Sequence, residues 1–146
     1  MAVKTYDKKI NKKLSENFSS FEFNCHCSEC SLTLIDDDHV HRLQIMREMV
    51  GKPITLNDGY RCPIHNKEVG GVVNSQHVVG TATDIRIDGM SIPELYELCC
   101  GIFDGVGIYD TFVHCDSRGV KARWDLRTDR SHPINLSITK DEIDNN

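Results

Sequence analysis

Two stretches carry the side chains best suited to chemistry: Ser75-Gln-His77-Val-Val-Gly80-Thr-Ala82-Thr-Asp84 and, thirty residues after Asp84, Phe112-Val-His114-Cys-Asp116. Two imidazoles and one carboxylate form the ligand set of a catalytic zinc ion, in which three protein ligands leave one position for water. The spacing is reachable. His77 would precede a strand, Asp84 would project from one face of it, and His114 would lie on a later neighbouring strand. Gly80 allows the turn between the first two residues, and Ala82, two before Asp84 on the same face, leaves room for an ion. Taken singly, each histidine reads as a surface or hydrogen-bonded core side chain, and a chain with seven histidines and many acids offers accidental triples.

The elements that must position these residues follow from periodicity. Tyr6, Ile10, Leu14 and Phe18 recur every four positions and predict an N-terminal helix within residues 1–20. Phe21, Phe23, Cys25 and Cys27 alternate, which suggests an extended segment leading into a cysteine-containing turn. Asp36 to Asp38 cap a helix from about Asp37 to Val50, with Val40, Leu43, Met46, Met49 and Val50 at three- and four-residue spacing and Gly51 ending it. A short strand over Pro53 to Asn57 precedes the turn signal Asp58-Gly59. Residues 61–81 have no sustained period and predict a long functional loop with one helical turn. Strands are expected at Ala82–Ile87, Gly105–Tyr109, Thr111–Asp116 and Val120–Leu126, with a helix capped by Ser91 running through Cys100. This order predicts a single-domain α+β fold, an antiparallel sheet of about four to five short strands with helices packed on one side. The domain proper spans 21–128, and 129–146 is a polar tail.

Composition narrows the class. A net charge of -5, a pI near 5.8 and 39% hydrophobic residues describe an ordinary globular chain. No nucleic-acid partner is expected, because phosphate neutralisation needs clustered Lys and Arg. The basic run Lys4, Lys8, Lys9, Lys12 and Lys13 reads as a solvated helix face. No stretch approaches the roughly 20 apolar residues of a membrane span, and the first residues lack the apolar core of a secretory signal. The expectation is a monomer made in the cytoplasm, without a membrane partner, acting on the cell wall after release.

The whole pattern adds to the triad. Asp58-Gly-Tyr-Arg61-Cys-Pro-Ile-His-Asn66, Gly70-Gly71, Asn74-Ser75-Gln-His77, Gly80-Thr-Ala82-Thr-Asp84 and Phe112-Val-His114-Cys-Asp116-Ser-Arg118-Gly119 together resemble the zinc D-alanyl-D-alanine carboxypeptidase family. That family includes murein endopeptidases and phage endolysins and shares its fold with the Hedgehog signalling domain. The resemblance covers roughly Phe21 to Trp124 and implies Zn(2+) held by His77, Asp84 and His114. It implies that Arg61 grips a substrate carboxylate, for which a planar guanidinium is suited. The implied reaction is metal-assisted hydrolysis of peptide bonds in peptidoglycan stems or cross-links. Many members carry the proton-accepting acid three residues before the second histidine, where this chain has Thr111. The role then falls on Asp116, kept beside His114 by strand alternation, ahead of Asp110; the alternative for Asp116 is a partner that orients His114. Two other readings compete: a cytoplasmic D-Ala-D-Ala dipeptidase or carboxypeptidase, and a non-catalytic zinc-binding module, the latter prompted by Thr111.

His65 and His132 are weaker cleft candidates, and Tyr109 could hydrogen-bond a developing oxyanion. Cys25-His-Cys27-Ser-Glu-Cys30 stands apart. With a fourth ligand from His26, Cys62 or Cys115 it could chelate a second zinc. A reduced thiol set, or a disulfide to Cys62, is the alternative. Cys99-Cys100 lies on an apolar helix face and reads as core.

Overall fold

Period-two alternation sorts the central strands into an apolar face and a face of small, imidazole and carboxylate side chains, and this division governs the architecture. The structure is a computed structural model that describes residues 2–136. Five strands form the main sheet in the order β3-β4-β6-β5-β7: β3 (Thr55–Asp58), β4 (Ala82–Arg86), β5 (Gly105–Ile108), β6 (Val113–Asp116) and β7 (Ala122–Asp125). The first three pairings in that order are antiparallel, as expected. The last, β5 with β7, is parallel, so the sheet is mixed at one edge.

Cross-strand register places Thr83 opposite Cys115 and Cys115 opposite Val106, with Ile85, Val113 and Ile108 in the next row. These side chains are fully buried, and α1 (Asp37–Val50) and α3 (Ile92–Cys100) supply much of the core around them through Val40, Leu43, Met46, Leu95, Tyr96 and Cys99. Burying a side chain such as Leu43 contributes about 2–3 kcal/mol. Both helices begin where the caps predicted. Asp36 accepts from the His39 amide and Ser91 from the Glu94 amide at 3.2 Å each. Met49, expected on the apolar face of α1, is instead exposed. The buried stripe shifts to include His39 and Gln44, each satisfied by hydrogen bonds.

The N-terminal helix is not what forms. Val3–Asp7 is a strand, β1, paired antiparallel with β2 (Leu32–Asp36), which periodicity had not singled out. A strict four-residue spacing drifts around a helix, and Val3, Thr5 and Tyr6 favour a pleated strand once a partner is present. Likewise Ser20–Phe23, expected to be extended, is a single 3-10 turn that inserts Phe23 into the core. The predicted loop turn is α2 (Pro63–Glu68), capped by the Cys62 sulfur. Within the polar tail, Ile134 packs against the core and the Tyr96 hydroxyl donates to the Asn135 carbonyl; 137–146 lie outside the described residues. Among the described residues no helix is long and apolar enough to cross a membrane.

Candidate metal centre

The face of the sheet opposite the helices carries the row Asp84, His114, Gly107, Trp124 across β4, β6, β5 and β7, and the next row is Ala82, Asp116, Gly105, Ala122. Register alone thus sets Asp84 and His114 side by side. His77 comes from the loop before β4. Gly80 turns that loop back with a φ of 81°, and a Cβ there would lie 2.6 Å from the Leu34 carbonyl oxygen. His77 Nε2 and His114 Nδ1 lie 3.2 and 3.1 Å from the same Asp84 oxygen, Oδ1. One donor atom from each residue falls within 4.8 Å of the others, and all three residues are buried.

The remaining nitrogen of each imidazole is held from behind. His77 Nδ1 lies 2.7 Å from the Gly59 carbonyl oxygen, which only accepts, so the Nδ1 proton is fixed and Nε2 turns its lone pair toward Asp84. His114 Nε2 donates to Asp116 Oδ2 at 2.7 Å, leaving Nδ1 inward. Two lone pairs and a carboxylate oxygen therefore converge, and a positive charge is required where they meet. Such a set fits a divalent metal ion, and its outer hydrogen bonds are those that orient ligand histidines.

The electrostatics agree. Burial would raise the Asp84 carboxyl, but protons placed between it and the His114 and His77 nitrogens that face it outweigh that and hold the group below the ordinary carboxylate range. Burial opposes a charged His114, yet its bonds to Asp116 and Asp84 prevail and raise its pKa. A cation is what this pocket of acceptors favours, whether protons or metal.

Asp116 does not line the cleft that His77, Asp84 and His114 share. It is fully buried. Its Oδ1 accepts from the Gly105 and Arg118 amides and Arg118 Nε, and its Oδ2 from His114 Nε2 and Arg118 Nη2. Burial raises it, but the bonds from His114 and Arg118 dominate and keep it ionised. These contacts suit the other role weighed for Asp116, that of a carboxylate that orients His114. Asp110 is exposed and bonded to Thr128 through both oxygens, and Thr111 is exposed on the same turn.

The three converging residues line a cleft of about 590 Å³, within the range of small-ligand sites. Arg61 lines it too, its Nε 2.8 Å from Asp58 Oδ2 and its Nη1 donating to Asn66 Oδ1 at 2.8 Å. Tyr109 and Phe112 stack with ring centres 4.5 Å apart on the wall. His65 and His132 do not join the lining; His65 faces Glu68 and His132 lies on the exposed tail.

Trp124 was not singled out from sequence, yet its ring centre lies 5.1 Å from that of His114, with its indole N–H on the Tyr109 hydroxyl at 3.0 Å and Arg118 over its face at 5.4 Å. Gly107 makes this possible, because a Cβ there would lie 2.1 Å from the indole. The signal in the sequence was the pair Gly105-x-Gly107, small residues alternating on a strand whose neighbour bears the single tryptophan.

An α+β domain with an acceptor-lined His-Asp-His centre at the floor of an open cleft has the form of a metal-dependent hydrolase. The family described as Peptidase M15 matches residues 16–116, and the chain belongs to that family. It is also similar to a zinc D-Ala-D-Ala carboxypeptidase of Streptomyces albus G, 49% identical over 45 residues. That match spans 30% of this chain and only 18% of the relative's length.

Proposed function

We propose that this chain is a zinc-dependent peptidase that hydrolyses peptide bonds in bacterial peptidoglycan stems or cross-links, reaching the wall after release from the cell that makes it. The observation that carries the reading is the convergence of His77 Nε2, Asp84 Oδ1 and His114 Nδ1 within 4.8 Å at the floor of a cleft that also holds Arg61. Membership of the peptidase family and the local likeness to a zinc D-Ala-D-Ala carboxypeptidase support the metal and the substrate class.

His77, Asp84 and His114 would hold the zinc ion, which when bound supplies Lewis acidity toward the scissile carbonyl and acidifies water. The Gly59 carbonyl and Asp116 keep the two imidazoles in the ligating tautomer. Arg61, oriented by Asp58 and Asn66, presents a guanidinium to a substrate carboxylate. Tyr109 has its hydroxyl proton free to donate, since its oxygen accepts from Trp124. Phe112 and Trp124 wall the cleft with apolar surface that excludes water around the reacting bond.

One observation favours a second reading, a zinc-binding module without turnover. Among the described residues lining the cleft, Asp84 is the only carboxylate, so no separate acid stands ready to accept a proton. Incubating the zinc-loaded chain with purified peptidoglycan and with D-Ala-D-Ala, with and without chelator, decides between them. Chelator-sensitive release of stem-peptide fragments is expected. Cleavage of the dipeptide alone would point to a precursor dipeptidase, and inertness toward both with zinc bound would overturn the peptidase reading.

A further inference from the structure

The four sulfurs of Cys25, Cys27, Cys30 and Cys62 all lie within 4.8 Å of one another, apart from the His-Asp-His centre. We infer that they hold a second metal ion, a closed tetrathiolate zinc site of structural type. A tetrahedral zinc with bonds of about 2.3 Å separates its sulfurs by roughly 3.8 Å. Here Cys25 and Cys62 are 3.8 Å apart, Cys27 and Cys62 3.7 Å, Cys25 and Cys27 3.5 Å, and Cys27 and Cys30 3.3 Å. A disulfide would join two of them at about 2.05 Å and leave the other pair over; four sulfurs all within 4.8 Å of one another, none of these four spacings under 3.3 Å, suit ligands around a common centre.

The surroundings answer the charge that four thiolates would carry. The Cys30, Cys62 and His65 amides donate to the sulfurs of Cys27, Cys25 and Cys62 at 3.4, 3.5 and 3.4 Å. Lys8 places its ammonium 3.3 Å from the Cys30 sulfur and 3.8 Å from that of Cys27, anchored on the Cys27 carbonyl at 2.6 Å. Donors and a cation gathered around four sulfurs stabilise thiolates, the form that binds metal. Tyr60 and Leu34 pack against the cluster. His26, a candidate fourth ligand by sequence, is exposed, and Cys115 lies in the sheet core, so the fourth ligand is Cys62.

The position gives the site its use. Cys62 caps α2 and adjoins Arg61, while the Tyr60 amide donates to the Phe23 carbonyl at 2.8 Å and the Gly59 carbonyl holds His77. A metal joining 25–30 to residue 62 therefore clamps the strip of backbone that fixes His77 and aims Arg61.

The inference stands apart from the peptidase reading, and metal counting on the full chain separates the two. Purified under reducing conditions, the wild type is expected to carry two zinc ions per chain. The His77→Ala, His114→Ala double variant, whose cysteines are untouched, is expected to keep one. Cobalt exchanged into that variant should give intense sulfur-to-metal charge-transfer absorption. Cys27→Ser with Cys30→Ser should lose this band, and where that variant does not fold the histidine variant alone carries the test. A metal-free histidine variant without the cobalt band, or a mass lowered by a disulfide among these four cysteines, would overturn the inference.

Discussion

Asp116→Asn separates orientation of a ligand from proton transfer. The carboxylate receives three donors on Oδ1 and two on Oδ2. An amide that keeps its oxygen on the crowded side turns its NH2 toward His114 Nε2. That nitrogen must then accept, the proton moves to Nδ1, and the lone pair facing Asp84 is lost. Loss of such an outer hydrogen bond costs about 10–100-fold in metal affinity, or roughly 1.4–2.7 kcal/mol. Losing the charge beside the half-buried Arg118 costs on the order of 2 kcal/mol in stability. Zinc affinity, measured by competition with a chromophoric chelator, should fall by that factor, and saturating zinc should restore much of the turnover. Wild-type zinc affinity combined with loss of turnover would refute this and return Asp116 to the role of base.

Further outcomes follow from other contacts. Gly107→Ala puts a methyl group into the Trp124 ring and should cost about 1–3 kcal/mol while shifting the emission of the single tryptophan, read by fluorescence and thermal melting. His39 is fully buried between the Ser117 and Thr83 hydroxyls at 2.9 Å each, and burial pushes its pKa down from 6.5 to about 3. Between those values the unfolded chain binds the proton and the folded chain does not, so stability is complete above pH 6.5 and falls as the pH drops. About 2 kcal/mol is lost by pH 5, and His39→Gln should flatten that limb in denaturant titrations. Arg61→Lys should raise KM for substrates ending in a carboxylate on the order of tenfold with little change in kcat, because the planar fork is lost and the charge kept. Equal KM for Arg61→Lys and wild type would remove Arg61 from substrate binding.

The site was legible where register did the work. Asp84 and His114 sit on strands whose alternation was readable, and the pairing of β4 with β6 brings them together; His77 follows from the Gly80 turn. The part that escaped depended on partners distant in sequence. Val3–Asp7 becomes a strand because β2 is there to receive it, and spacing every four residues could not report that. Asp116 was correctly placed on the face of His114, but only the amide of Gly105 and the arms of Arg118 show that its oxygens are already taken. Cys62 was one of three candidate partners for Cys25, Cys27 and Cys30, and the choice among them needed the fold, which ties residue 60 to Phe23 through a backbone hydrogen bond. Trp124 faces His114 across β5, so its part in the cleft needed the parallel pairing at the edge of the main sheet, where antiparallel neighbours were expected.

Anomalous diffraction at the zinc edge from crystals of the zinc-loaded chain tests most directly for a zinc ion between the three converging side chains. A peak is expected about 2.0–2.2 Å from each of His77 Nε2, Asp84 Oδ1 and His114 Nδ1. A zinc-loaded crystal with no peak between those atoms would contradict that expectation.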